Sequence, residues 1–125
     1  MGSLIYYLGI ALLFTHEMDA VMYAEWQLLL VLRDMSDEVA YPVFLVLHVP
    51  AFFMFFWLSH HSNRRIQTVF RGSAAAFLVL HAVIHTYNAD AAANQFSGLL
   101  SYSLIYLAAV AGACYLYIEY RNAGQ

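Results

Sequence analysis

The chain has 125 residues and a mass of 14.2 kDa; 63% of its residues are hydrophobic, 10% are charged, and the net charge is −3. A soluble domain is about 45–50% apolar and about 25% charged, and a chain this short has too much surface to hide such an apolar excess from water. Five arginines, no lysine and one cysteine also exclude a nucleic-acid-binding protein and a disulfide-stapled secreted fold, so the sequence predicts an integral membrane protein of one domain.

Four apolar stretches are long enough to cross a bilayer, which takes about 20 residues per helix. Their apolar runs do not alternate with polar residues, so they favour helices over barrel strands. In chain order, the predicted spans are residues 4–32, 41–59, 72–88 and 96–118. Short connections make successive spans antiparallel neighbours. The expected fold is an all-α membrane protein, a four-transmembrane up-down-up-down helix bundle.

The arginines indicate the orientation of this bundle. Arg64, Arg65 and Arg71 lie between the second and third spans, and Arg121 follows the fourth span. Only Arg33 is predicted on the opposite side. Because positive residues stay preferentially in the cytoplasm, we expect both termini to be cytoplasmic.

Ionisable side chains inside the spans are the main indication of function, because they are costly in hydrocarbon. A helical rise of about 1.5 Å per residue puts five of them in one slab about 7 Å thick. They are His16, Asp19, His48, His81 and His85. His81 and His85 are four residues apart, the spacing by which one helix offers two imidazoles to a metal ion. His16 and Asp19, three residues apart, also share a helix face.

The leading hypothesis is that these five residues bind one transition-metal ion, which is zinc, iron, copper or manganese. Asp19 is then a ligand or a base, and Asp19 or Glu17 is the candidate catalytic proton acceptor for a metal-bound water. On a continuous helix, Glu17 and Glu25 point about 100° and 180° away from His16, so neither obviously joins the ligands. Membrane lipids surround the bundle at this depth, so the expected substrate is a lipid or a quinone-like molecule. Whether the protein is an enzyme stays open.

Other hypotheses fit the same residues. His48 with His81 or His85 could supply the axial ligands of a b-type haem in an electron-transfer protein. A non-catalytic accessory subunit is a further alternative, because small residues on the fourth span suit packing within the bundle, in a homo-oligomer or in a larger membrane complex. These small residues are Ala108, Ala109, Gly112 and Ala113. A proton relay or a transporter fragment also remains open, and a single membrane histidine is most often bonded to a backbone carbonyl or a hydroxyl.

Several motifs of the chain resemble those of an uncharacterised family of small bacterial membrane proteins. The resemblance covers the sequence THEMDAV at residues 15–21, the Glu25–Trp26 pair and the sequence LHVP at residues 47–50. It also covers two spaced histidines in the third span and the sequence NQF at residues 94–96. The resemblance implies a four-helix, multi-pass protein of the bacterial inner membrane, and it implies no activity.

Overall fold

A computed structural model describes residues 2–124. Within that range the chain forms four α-helices and one 3₁₀ turn, and no strand. The helices are α1 (Gly2–Met22), α2 (Asp37–Ser59), α3 (Arg64–Tyr87) and α4 (Leu99–Ala123), and the turn is Glu25–Gln27. All four helices are long and apolar enough to cross a membrane. The prediction of an all-α fold with four apolar helices is therefore confirmed.

Contacts at one end of the bundle show how the helices are directed. The ring of Tyr6, near the start of α1, lies 5.2 Å from the ring of Tyr115 in the last third of α4. The Tyr6 hydroxyl also forms a 2.6 Å hydrogen bond with Ser59, the last residue of α2. Arg71, in the first turns of α3, donates from Nε to the Ser59 carbonyl oxygen at 2.9 Å. Since two helix beginnings meet two helix ends here, successive helices run in opposite directions.

The helix α4 packs closely against α1 and α3 because small residues line its inner face. Ala108 and Gly112 are buried. A Cβ atom on Gly112 would lie 2.5 Å from the carbonyl oxygen of Ala75 in α3, and one on Gly9 of α1 would lie 3.2 Å from Cβ of Ala111. Of the four small residues predicted to mediate close packing, Ala108 and Gly112 are buried within the bundle, whereas Ala109 is partly buried and Ala113 is exposed.

The helix α2 lies at the periphery of the bundle. Its buried residues are Ala40, Phe44 and Ser59. Large apolar side chains cover its outer face, and 70% of Val49 and 62% of Phe53 are exposed. An exposed apolar surface of this extent is typical of contact with lipid or another apolar partner.

The helix α1 ends at Met22, ten residues before the expected end of the first span at residue 32. Ala24 has φ 51° and ψ 47°, the left-handed conformation, which costs an L-residue roughly 1–2 kcal/mol. After this break, Nε1 of Trp26 donates to Oδ1 of Asp37 at 2.8 Å and ties the turn to the start of α2. Tertiary contacts such as this hydrogen bond compensate for the conformational cost of the break at Ala24.

The helix α3 begins at Arg64, eight residues before the expected start of the third span at residue 72. Its first turn is capped by Asn63, whose side-chain oxygen accepts from the backbone N–H groups of Arg65 and Ile66. The start at residue 72 was predicted from the apolar residues alone. The capped polar turn extends the helix beyond them.

Candidate metal centre

Four buried or largely buried side chains converge near the end of the bundle opposite to Ser59. They are His16 of α1, Glu25 of the 3₁₀ turn, and His81 and His85 of α3. One nitrogen or carboxylate oxygen from each lies within 4.8 Å of one from every other member. We call this group the His/Glu cluster. Imidazole and carboxylate are both common ligands of transition metals.

The Glu25 carboxylate lies between two of the imidazoles. Its Oε2 atom is 3.4 Å from Nε2 of His16, and its Oε1 atom is 3.4 Å from Nε2 of His85. These distances exceed the roughly 2.7–2.9 Å of a charge-assisted hydrogen bond. Two ligand atoms at about 2.0–2.1 Å from a tetrahedral metal ion are themselves about 3.3–3.4 Å apart. The spacing therefore matches that of neighbouring ligands on one ion.

The imidazole of His16 is fully buried, with 0% of the residue exposed. Among residues 2–124, neither of its ring nitrogens has a hydrogen-bond partner. Within the same range, Nε2 of His81 and Oε2 of Glu25 are also buried without one. Each such atom costs roughly 1–3 kcal/mol. A shared cation would compensate for several of these costs at once.

Aromatic rings enclose the cluster on the side of the α3–α4 connection. The ring of Phe96 lies 5.4 Å from that of His16 and 5.0 Å from that of His85, and Phe96 is 5% exposed. The ring of Phe77 lies 5.4 Å from that of His81. The buried ring of Phe96 limits the rotation of the His16 and His85 imidazoles and keeps water away from this side of the cluster, whereas Phe77 is 40% exposed and lines a cavity on another side.

The Glu25 carboxyl is suited to serve as an anionic ligand. Burial raises the pKa of Glu25, but the adjacent imidazoles of His16 and His85 outweigh this effect and bring the pKa down to about 2. The carboxylate is therefore ionised at neutral pH, as metal coordination requires.

The cluster contains three of the five predicted metal ligands, namely His16, His81 and His85. It also contains Glu25, which a continuous first helix would have turned away from His16. Because α1 ends at Met22, the following turn folds Glu25 back toward His16. Residues 23 and 24 are Tyr and Ala, so neither glycine nor proline marks this helix end in the sequence.

His48 lies outside the His/Glu cluster and pairs with Glu17. Its Nε2 atom is 2.9 Å from Oε2 of Glu17, and its Nδ1 atom is 2.7 Å from the carbonyl oxygen of Phe44. A carbonyl oxygen only accepts, so Nδ1 donates, and Nε2 and the Glu17 carboxyl share one proton. Both ring nitrogens of His48 are engaged, and the haem alternative would require His48 to give up one of these contacts.

Asp19 is also outside the His/Glu cluster. Its Oδ2 atom is buried and has no hydrogen-bond partner in the part of the chain that the structure describes. Asp19 lies three residues after His16 on the same helix but is not one of the cluster residues. Its role as a ligand or a base stays a prediction.

A cavity of about 320 Å³ between α2 and α3 connects the two sets of ionisable residues. Glu25, His81 and His85 line one part of it, and Glu17 and His48 line another. The remaining lining is mostly apolar. A molecule in this cavity could contact the cluster and the Glu17–His48 pair together.

Four long apolar helices around a buried group of three histidines and one glutamate define the class: a small all-α protein with a candidate metal centre in its core. The chain belongs to the family described as "Family of unknown function (DUF6713)", whose model matches residues 2–122. This membership is consistent with the resemblance to an uncharacterised family. No curated protein and no solved structure matches the chain.

Proposed function

We propose that this chain is an integral membrane protein that binds one transition-metal ion through His16, Glu25, His81 and His85. The observation that carries the proposal is the burial of several ligand-type atoms without hydrogen-bond partners in residues 2–124. A metal ion is a single partner that all four side chains could share.

The geometry favours a metal ion over a network of ion pairs. In such a network, Glu25 would accept hydrogen bonds from charged imidazoles at roughly 2.7–2.9 Å. The two Glu25–imidazole distances are instead 3.4 Å each. His81 faces its histidine neighbours with a ring-centroid distance of 4.6 Å to His85 and 5.0 Å to His16. Three imidazoles this close would repel one another if protonated, whereas a metal ion binds them in the neutral form.

The donor set suits zinc, iron, copper or manganese. It contains three nitrogen atoms and at least one carboxylate oxygen, and the cluster itself has no thiolate. The site borders a cavity through Glu25, His81 and His85. This position is consistent with a catalytic or redox metal, which must be reached by a reactant.

The four helices are proposed to form a transmembrane up-down-up-down bundle in the bacterial inner membrane. Support comes from their length and hydropathy and from the apolar outer face of α2. Arg64, Arg65, Arg71 and Arg121 all lie near the bundle end formed by Ser59 and the start of α3. The positive-inside rule places that end, with both termini, in the cytoplasm.

Metal analysis of the purified protein tests this proposal. The protein is purified in detergent without a metal-affinity step, and bound metals are measured by mass spectrometry before and after a chelator and re-addition of each candidate metal. We expect about one equivalent of a transition metal. His81→Ala should lower it strongly, and His61→Ala, which removes a partly buried histidine between α2 and α3 that lies outside the cluster, should not.

Circular dichroism and size-exclusion chromatography of each variant separate metal loss from unfolding. A folded wild-type protein that takes up far less than one equivalent of every metal would contradict the proposal. Equal metal contents in His81→Ala and His61→Ala would contradict it as well.

A further inference from the structure

The cavity between α2 and α3 has the chemical pattern of a binding site for an amphiphile. Its volume of about 320 Å³ falls at the lower end of the range for small-molecule pockets, about 300–1,000 Å³. Apolar side chains provide most of its wall, among them Leu47, Ala51, Phe77 and Ile84. The polar part of its lining includes the cluster residues Glu25, His81 and His85. An occupant therefore meets both apolar and metal-binding groups.

The cavity borders the outer surface of the bundle. Leu47 on α2 is 56% exposed and Ile84 on α3 is 45% exposed, although both contribute to the cavity wall. The two helices are packed less closely against each other than α4 is against α1 or α3. In a membrane, the gap between α2 and α3 would open toward acyl chains. A molecule dissolved in the bilayer could enter without crossing water.

The Glu17–His48 pair gives the cavity a second polar contact. The pair shares one proton between Oε2 of Glu17 and Nε2 of His48, 2.9 Å apart. Both residues also line a smaller cavity of about 160 Å³ between α1 and α2. In the larger cavity the other carboxyl oxygen of Glu17 can accept a hydrogen bond from a hydroxyl group of the occupant.

We propose that this cavity binds a single-chain amphiphile from the bilayer, with the oxygen atoms of its head group on the metal and its chain along the apolar wall. The inference rests on the proposed metal binding by the His/Glu cluster. The enclosed volume suits one apolar chain better than two, and the apolar wall disfavours a fully polar metabolite. The substrate class is thus a lipid-soluble molecule with one apolar chain and an oxygen-containing head group.

Alkyl hydroxamates of two lengths test this inference, because their two oxygen atoms chelate metal ions. The metal is replaced by Co²⁺, whose visible absorption changes when a ligand binds. Acetohydroxamate probes the metal alone, and octanoyl hydroxamate probes the metal and the apolar wall. We expect octanoyl hydroxamate to bind the wild-type protein with an affinity about 10-fold or more above that of acetohydroxamate.

The matched variants are Ala51→Phe, which adds a ring at a residue that lines the cavity, and Val49→Phe, which adds the same ring to α2 at a residue that does not line it. Ala51→Phe should abolish the preference for the longer hydroxamate and leave acetohydroxamate binding unchanged. Val49→Phe should preserve the preference. Because partitioning of the longer hydroxamate into detergent affects both variants alike, Val49→Phe also controls for it.

The outcomes distinguish this inference from the proposed function. If neither Co²⁺ nor any of the candidate metals binds, the proposed metal centre fails and the inference fails with it. If Co²⁺ binds but the two hydroxamates have equal affinities, the metal centre stands and the amphiphile site is overturned. The site is also overturned if Ala51→Phe and Val49→Phe reduce octanoyl hydroxamate binding equally.

Discussion

The Nε2 atom of His48 lies 2.9 Å from Oε2 of Glu17, which pairs a histidine of α2 with a carboxyl group of α1. The other ring nitrogen donates to the Phe44 carbonyl, one helical turn earlier. Both side chains are largely buried, with 22% of His48 and 15% of Glu17 exposed. The contact is a polar link between the peripheral helix α2 and α1, and the Tyr6–Ser59 hydrogen bond is another one at the opposite end of the bundle.

Replacing His48 by alanine should therefore affect stability rather than metal content. The substitution removes one partner of a largely buried pair and leaves Glu17 without a hydrogen bond, which costs roughly 1–3 kcal/mol. We expect a lower thermal unfolding temperature by circular dichroism in detergent, together with a wild-type metal content. A variant that remains folded but loses its metal would instead identify His48 as a ligand.

The two glutamates near the site provide a matched pair of substitutions. Glu25→Gln removes the anionic ligand from the His/Glu cluster and should weaken metal binding by about 100-fold, which corresponds to about 3 kcal/mol. Glu17→Gln makes the same chemical change in the His48 pair and should leave metal affinity within a few-fold of wild type. Competition against a chelator of known affinity measures both. A larger loss for Glu17→Gln than for Glu25→Gln would contradict the assignment of the ligands.

The histidines of the cluster could be predicted because their positions depend mainly on helical periodicity. His81 and His85 lie four residues apart, so any regular helix puts both on one face. His16 could be placed at the same depth by counting residues from the apolar boundary. Periodicity and depth thus account for three members of the cluster.

Periodicity and depth do not predict the positions of Glu25 and His48. The position of Glu25 depends on a helix break at Ala24, and tertiary contacts of Glu25 and Trp26 support this break where the local sequence carries no stop signal. His48 lies at the level of Glu17 along the bundle, but this level does not determine how a helix is rotated about its axis or how closely it packs. The peripheral position of α2 leaves His48 beside Glu17 rather than in the cluster.

The left-handed residue at the end of α1 offers a test of the break. Ala24→Gly removes the steric cost of φ 51°, while glycine adds conformational entropy to the unfolded chain. We expect the free energy of unfolding either to stay the same or to rise by up to about 1 kcal/mol, and we expect the metal content to be unchanged. The comparison is Ala20→Gly, in the buried part of α1, which should destabilise by about 1 kcal/mol or more. Equal destabilisation by both substitutions would show that Ala24 is helical in the protein.

The close packing of α3 and α4 predicts opposite effects for two glycine-to-alanine substitutions. A Cβ atom on Gly112 would lie 2.5 Å from the Ala75 carbonyl oxygen, so Gly112→Ala should force the helices apart and destabilise the bundle by about 1–3 kcal/mol. Within the described residues, a Cβ atom on Gly72 meets nothing within 4 Å. Gly72→Ala should therefore stabilise α3 by roughly 0.5–1 kcal/mol, because alanine favours the helix. Thermal unfolding in the same detergent measures both changes, and a stabilised Gly112→Ala protein would contradict the close approach of α4 to Ala75.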